Sequence, residues 1–299
     1  MAKRGQAPVR VRGLPRTDTA ACARSVPGTN WDDDVVTSEL VFAKSLAVEA
    51  GAVMREHFRA GVAYRDKGDG TPVTLADEAI NDLVVERIAA LYPADGVIGE
   101  ERSSSSTGVS GRVWVCDPID GTLPFTLGVP TNLFSLALFE DGVPTLGVLY
   151  DPYLDRMYEA ALGAGASVNG VPLHVSETPL SEAILALPGA QFGLTDNAAL
   201  AADVIAGGMR IFSACSVTYD GALVAAGQIA ACVFPATSVW DIAAVKVLVE
   251  EAGGLVTDID GNSQRYDQPI RGALMSNKRS HDDLVQLVRP HLFHSTPAS

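Results

Sequence analysis

Basic charge and cysteine are both scarce in this chain, and each shortage excludes something. Only 22 Lys and Arg stand against 36 Asp and Glu in 299 residues, a formal charge of −14. That balance argues against nucleic acid or an anionic membrane surface as the main partner. The four cysteines, Cys22, Cys116, Cys215 and Cys232, form no C-x-x-C pair and have no histidines at zinc spacing. Neither a zinc centre nor a redox motif is indicated, and a reducing cytoplasm is the simplest setting. No apolar run reaches the roughly 18 residues that span a bilayer, and Met1 to Gly28 lacks the apolar core of a secretory signal. Internal repeats and low-complexity tracts are missing too. What is plentiful is apolar side chain, 47% of the residues, enough for a full core in one large or two closely packed domains.

Residues 1–31 mix arginine, glycine and proline without apolar periodicity and are expected to be a disordered leader. From there Leu40, Ala43, Leu46, Ala47, Ala50, Val53, Met54 and Phe58 recur at helical spacing, with Gly61 closing a long helix. A second helix is predicted from Leu75 to about Leu91, its start marked by T-L-A-D with Thr74 as cap. Short β-rich runs follow at 97–99 and 113–116, then two longer alternating stretches broken by Asp141-Gly142 and Asn169-Gly170, the dipeptides of tight hairpins. Antiparallel sheet is the expected result up to about residue 176. From 177 to 290 short apolar strands alternate with alanine-rich helices, a βα pattern, and 291–299 is expected to be a flexible tail.

The chemistry concentrates in WVCDPIDGT, Trp114 to Thr122. A strand runs into Asp117, Pro118 is expected to turn the chain, and Asp120 follows three residues on, so that both carboxylates converge at the strand end. Gly121 and Thr122 then lie where a helix starts, with free N–H groups that suit an anion. Carboxylate oxygens are the ligands that hard cations such as magnesium prefer. Taken alone, D-P-x-D-G is ordinarily a turn. Glu100 and Glu101 at a strand end, Asp77 in a helix's first turn and Asp241 opening another helix also have ordinary readings, as a solvated pair, a first-turn acid and an N-cap.

Taken together, T-P-V-T-L-A-D, G-E-E, D-P-I-D-G-T and W-D-I-A-A in this order resemble the inositol monophosphatase family of metal-dependent, lithium-sensitive phosphatases, from about Leu40 to Leu287. The resemblance implies a layered αβαβα fold, with an N-terminal α+β half (32–176) built on a large antiparallel sheet and a C-terminal α/β half (177–290) supplying Asp241. It implies magnesium-dependent hydrolysis of a small sugar, cyclitol or amino-alcohol monophosphate by metal-activated water, with two or three Mg2+ ions per site, and a homodimer. Glu100, Asp117 and the carbonyl of Ile119 would hold one ion, and Asp117, Asp120 and Asp241 a second. A weaker third would lean on Glu100 and, through water, Asp77. Thr122, with Asp77 and Glu100, would orient the attacking water, and the N–H groups of Gly121 and Thr122 would receive phosphate oxygens. Histidinol phosphate, fructose 1,6-bisphosphate and a nucleotide 3′-phosphate are rival substrates within the class. A non-catalytic metal- or phosphate-binding regulator is the rival outside it.

Three positions depart from the family pattern, all on the substrate side. Leu123-Pro124-Phe125 stands where Thr- or Lys-Asn-Phe is common, which is expected to reshape the helix start. Cys215-Ser216-Val217 replaces G-T-A or G-S-A. Phe234 occupies the place, seven residues before Asp241, where inositol-processing members carry a glutamate for sugar hydroxyls. Lys67 represents the lysine common upstream of the T-x-x-D aspartate.

Overall fold

The computed structural model describes residues 38–68, 70–103, 109–189 and 193–293. The leader at 1–31 and the end of the tail, 294–299, lie outside these residues. The elements in order are α1 (Ser38–His57), β1 (Tyr64–Asp66), β2 (Pro72–Thr74), α2 (Leu75–Leu91), β3 (Gly96–Gly99), β4 (Arg112–Asp120) and α3 (Thr122–Leu127). Next come β5 (Leu133–Glu140), β6 (Val143–Asp151), β7 (Arg156–Ala161), β8 (Gly165–Val168), β9 (Val171–Pro172), β10 (Ile184–Ala186), α4 (Asn197–Ala206) and β11 (Arg210–Phe212). The chain continues through α5 (Val217–Ala225), β12 (Ala231–Phe234), α6 (Val239–Glu251), β13 (Gly254–Thr257), β14 (Ala273–Asn277) and α7 (His281–Val288).

Strands β3 to β9 form a seven-stranded sheet in sequence order, antiparallel throughout except for the β3–β4 pair. The hairpins close at Asp141-Gly142 and Asn169-Gly170, whose positive φ values (50° and 80°, 49° and 76°) match the two-residue turn the dipeptides favour. A second sheet has the order β11-β10-β12-β14-β13, with β10 parallel to both neighbours and β14 antiparallel to both of its own.

Strand periodicity sorts the side chains into three cores. Trp114 and Cys116 of β4 pack with α1 and α2 on one face of the large sheet, while Val115 between them points the other way. That second face, with Ala137, Phe139 and Leu149, meets α5 and α6, which in turn meet Cys232 and Phe234 of the small sheet. Val233 and Leu274, on the small sheet's far face, pack with α4 and α7. The layers are therefore helix, sheet, helix, sheet, helix. Helix α6 lies close on β6 because Gly147 has no side chain there; a Cβ would fall 2.5 Å from the carbonyl oxygen of Ala244.

The predicted tail begins too early. Leu292 bridges Thr195, and the Phe293 N–H donates to the Leu194 carbonyl at 2.9 Å, so the packed body extends through Phe293.

Candidate active site

Along a regular strand, residues three apart point to opposite faces, so Asp117 and Asp120 should diverge. Their pairing explains why they do not. Asp117 stands opposite Ser135 and Asp120 opposite Leu133, which places three steps of β4 against two of β5. This one-residue bulge restores both carboxylates to the same side. Pro118, which has no N–H to give to a ladder, sits inside it, and the Ile119 N–H turns inward to donate to Asp117 Oδ1 at 3.0 Å. The expected turn at Pro118 is thus a bulge in a strand that continues to Asp120.

Asp241 arrives from the other half of the chain, as the third residue of α6. It does not serve as that helix's N-cap, a position held by Ser238. Its carboxylate joins those of Asp117 and Asp120, with one oxygen of each lying within 4.8 Å of the others. Asp120 is held from behind: its Oδ2 accepts from Ser216 Oγ at 2.6 Å, Thr218 N at 2.6 Å and Thr218 Oγ1 at 2.5 Å, all at the start of α5. Thr218 was not singled out from the sequence. The only signal was a Ser-x-Thr at a helix start, and its target lies 98 residues away.

Glu100 is placed by the parallel β3–β4 pair, its N–H donating to the Cys116 carbonyl at 3.1 Å. It stands beside Asp117, outside the three-carboxylate group. Lys67 bridges Glu100 and Glu101 at 2.7 and 2.5 Å. Asp77 combines the ordinary reading with the functional one. Its Oδ2 completes a capping box with Thr74 N and Oγ1, at 2.8 and 2.5 Å, while its Oδ1 faces Thr122 Oγ1 at 3.3 Å. The same hydroxyl lies 3.1 Å from the Ile119 carbonyl oxygen.

Gly121 has φ +92°, and a Cβ there would fall 2.9 Å from that of Ser216 and 3.0 Å from the Thr131 carbonyl oxygen, so glycine is required. Despite Leu123-Pro124-Phe125, α3 begins directly after it, with Phe125 N–H donating to Gly121 O at 3.0 Å. Proline is tolerated because a helix's first turn has no intrahelical use for the missing donor. Phe125 is buried, and exposed Leu123 stands at the rim of the site.

A cavity of about 530 Å³ opens over the carboxylates. Its lining includes Glu100, Asp117, Asp120, Gly121, Thr122 and Asp241 at one end and Cys215, Ser216, Val217, Phe234 and Pro235 at the other. Phe234 both lines the cavity and packs into the inter-sheet core, at 6% exposure. Cys215 is exposed with φ +56°, and the Ser216 hydroxyl is engaged by Asp120 and the Tyr219 N–H. Asp77, by contrast, reaches the site from beneath Thr122.

Five acidic residues and no Lys, Arg or His line this cavity among the described residues. Burial, reinforced by Glu100, Asp120 and Asp241, pushes Asp117 well above the usual carboxylate range; Asp241 rises likewise through burial and then Asp120 and Glu100. Asp120 and Glu100 also rise through burial, opposed by hydrogen bonds from Ser216 and Thr218 and by Lys67 respectively. Burial brings Asp77 to about 7. An all-oxygen donor set of crowded, buried carboxylates is what a hard divalent cation fits, since its charge removes the repulsion that otherwise keeps protons on the acids.

Comparison with known proteins places the chain in a family. The pattern of the inositol monophosphatase family matches residues 36–292. A histidinol-phosphatase of Mycobacterium tuberculosis is 36% identical over 258 residues, covering 83% of this chain and 96% of that protein. A fructose-1,6-bisphosphatase/inositol-1-monophosphatase of Thermotoga maritima is 30% identical over 250 residues, covering 83% and 95%. The solved structure of a Thermotoga maritima IMPase superposes with a TM-score of 0.77 at 29% identity, over 85% of this chain and 98% of that one. The layered sheets thus have their counterpart in a known enzyme class, and the chain belongs to the inositol monophosphatase family, phosphoric monoester hydrolases that act on small phosphate monoesters.

Proposed function

We propose that the chain is a magnesium-dependent phosphatase in which Asp117, Asp120, Asp241, Glu100 and the Ile119 carbonyl hold two ions, with a weaker third on Glu100 and, through water, Asp77. The observation that carries this reading is the convergence of Asp117, Asp120 and Asp241 from two halves of the chain into one group, the first two buried and Asp241 half-buried. The half at 32–176 contributes most ligands and the half at 177–290 contributes Asp241 and the leaving-group wall. When bound, the ions would neutralise the phosphate and make water a better nucleophile. The chain's own residues do the rest. Thr122 Oγ1 can donate to Asp77 Oδ1 while accepting from a water, which orients the water and gives its proton a path to Asp77. Burial leaves Asp77 at about 7, a basicity suited to that transfer near neutral pH. The N–H groups of Gly121 and Thr122 at the start of α3 receive phosphate oxygens.

Phe234 puts an apolar ring where a hydroxyl acceptor would suit a cyclitol, so myo-inositol 1-phosphate is expected to be a poor substrate. The names of the relatives place histidinol phosphate and fructose 1,6-bisphosphate beside it on the test panel. Activity on these esters and on glycerol phosphate, with magnesium and after chelation, tests the reading. Full activity after exhaustive chelation overturns it, and a kcat/KM led by inositol 1-phosphate overturns the expectation drawn from Phe234. Phe234→Glu should raise kcat/KM for inositol 1-phosphate by about tenfold. Lithium inhibition at millimolar concentration and a homodimer in sedimentation belong to the same proposal. A cytoplasmic setting is supported by Cys116, Cys215 and Cys232, all unpaired, and no described helix is long and apolar enough to cross a membrane.

A further inference from the structure

The cavity holds one acid that the metal set does not use. Asp220 lies on α5, one turn beyond Val217, and lines the same cavity. Its side chain is buried, at 6% exposure, and Oδ1 accepts the Ala214 N–H at 3.2 Å. It stands outside the group formed by Asp117, Asp120 and Asp241. No Lys, Arg or His lines the cavity among the described residues, so the protein supplies Asp220 with no counter-charge from that side. A buried carboxylate without a cation is costly, and that cost is removed by a ligand that brings one.

The placement says which part of a ligand that is. With the phosphate at Gly121, Thr122 and the carboxylate group, the alcohol portion extends along Cys215, Val217 and Phe234. Asp220 supports this stretch through its own helix and through Ala214, next to Cys215. The wall therefore combines an apolar face with a single carboxylate, a pairing that suits an ammonium carried on an otherwise apolar skeleton. A polyol would offer that carboxylate only a neutral hydrogen bond and would leave Phe234 against hydroxyls.

We propose that Asp220 is a specificity-determining residue that reads a positive charge on the leaving group, making phosphate monoesters of amino alcohols with an apolar substituent the preferred substrates. This rests on the phosphatase reading above and names the substrate class of that same site.

Two esters that differ only in the amine provide the test: phenylalaninol phosphate and 3-phenylpropyl phosphate, assayed at pH 7.5 with magnesium on the full chain. The amine ester should lead in kcat/KM by at least about tenfold, the scale of a charge-assisted hydrogen bond. In Asp220→Asn, which keeps an acceptor for Ala214 but loses the charge, that ratio should fall to within about threefold. Equal hydrolysis of the two esters by the wild type, or a ratio unchanged in Asp220→Asn, overturns the role of Asp220 and leaves the phosphatase reading standing. Hydrolysis of neither ester, with glycerol phosphate also untouched, overturns the phosphatase reading and this inference with it. A measurement that needs no variant is product inhibition of the wild type: phenylalaninol should inhibit at a concentration at least about tenfold below 3-phenylpropanol, and equal inhibition constants overturn the proposal.

Discussion

Asp117 concentrates the tension of the site at the residue scale. Its carboxylate lies between Glu100, Asp120 and Asp241, and each of these acids opposes its ionisation in the absence of a cation. Asp117→Asn should lower kcat/KM by about a thousandfold or more, because it removes a ligand shared by two ions. The same substitution should leave the metal-free melting temperature equal or higher, since it also removes a like charge; a large drop in melting temperature would mean the residue is chiefly structural. Thr218 makes a subtler case. Its N–H and hydroxyl both hold Asp120 Oδ2, so Thr218→Val removes one of two donors without changing shape. The magnesium concentration for half-maximal activity should rise by about tenfold, the usual effect of losing an outer partner of a metal ligand. An unchanged magnesium dependence would show that Ser216 and the backbone suffice.

Single elements matter at this site through how closely they pack. Asp241 can join Asp117 only if α6 lies tight on the large sheet, and at Gly147 the helix backbone comes so near that there is room for no Cβ beside Ala244. Gly147→Ala should force the two apart by a few tenths of an ångström and cost about 1–3 kcal/mol of stability, as overpacked sites do. Because the displaced helix carries a ligand, the variant should also need more magnesium for half-maximal activity. Thermal melts and magnesium titrations check the two effects separately. The bulge in β4 acts at the same scale: one extra residue between Asp117 and Asp120, opposite Ser135 to Leu133, decides that both aspartates of D-P-I-D face one cavity.

Over the whole molecule, the cluster links stability to pH and to metal. Asp77 and Asp220 both have folded pKa values of about 7 through burial, far above the 3.8 expected when exposed, and Asp117 and Asp241 are raised as well. An unfolded chain would release these protons near pH 4, whereas the folded chain keeps those of Asp77 and Asp220 until about 7 and holds those of Asp117 and Asp241 well above the usual carboxylate range. Their contribution is thus fully present below pH 4 and is lost as pH rises through 7. The metal-free protein should accordingly lose melting temperature between pH 5 and pH 8, and saturating magnesium should remove most of that loss. Melting curves across this range, with chelator and with magnesium, give the comparison, and a metal-free protein that gains stability toward pH 8 would contradict the assignment.

Much was legible in the sequence because it depends on near neighbours. The capping box at Thr74 and Asp77, the helix to Leu91 and the hairpins at Asp141-Gly142 and Asn169-Gly170 are set by local sterics and hydrogen bonds, and they stand where the residues predicted. The acidic positions were legible as a pattern held in common with a family. Pro118 reads as a turn because a short window cannot reveal that Asp117 and Asp120, on either side of it, stand opposite Ser135 and Leu133; the bulge is a property of two strands. Thr218 and Asp220 drew no notice for a similar reason, since an acid in a first turn looks the same whether it faces water or a cavity, and burial is decided by what packs around it. The sequence by itself determined which oxygen ligands exist and the elements that carry them. Only the tertiary structure decided that Asp117, Asp120 and Asp241 share one buried space while Asp220 stands apart from them, because that arrangement depends on contacts between residues a hundred or so apart along the chain.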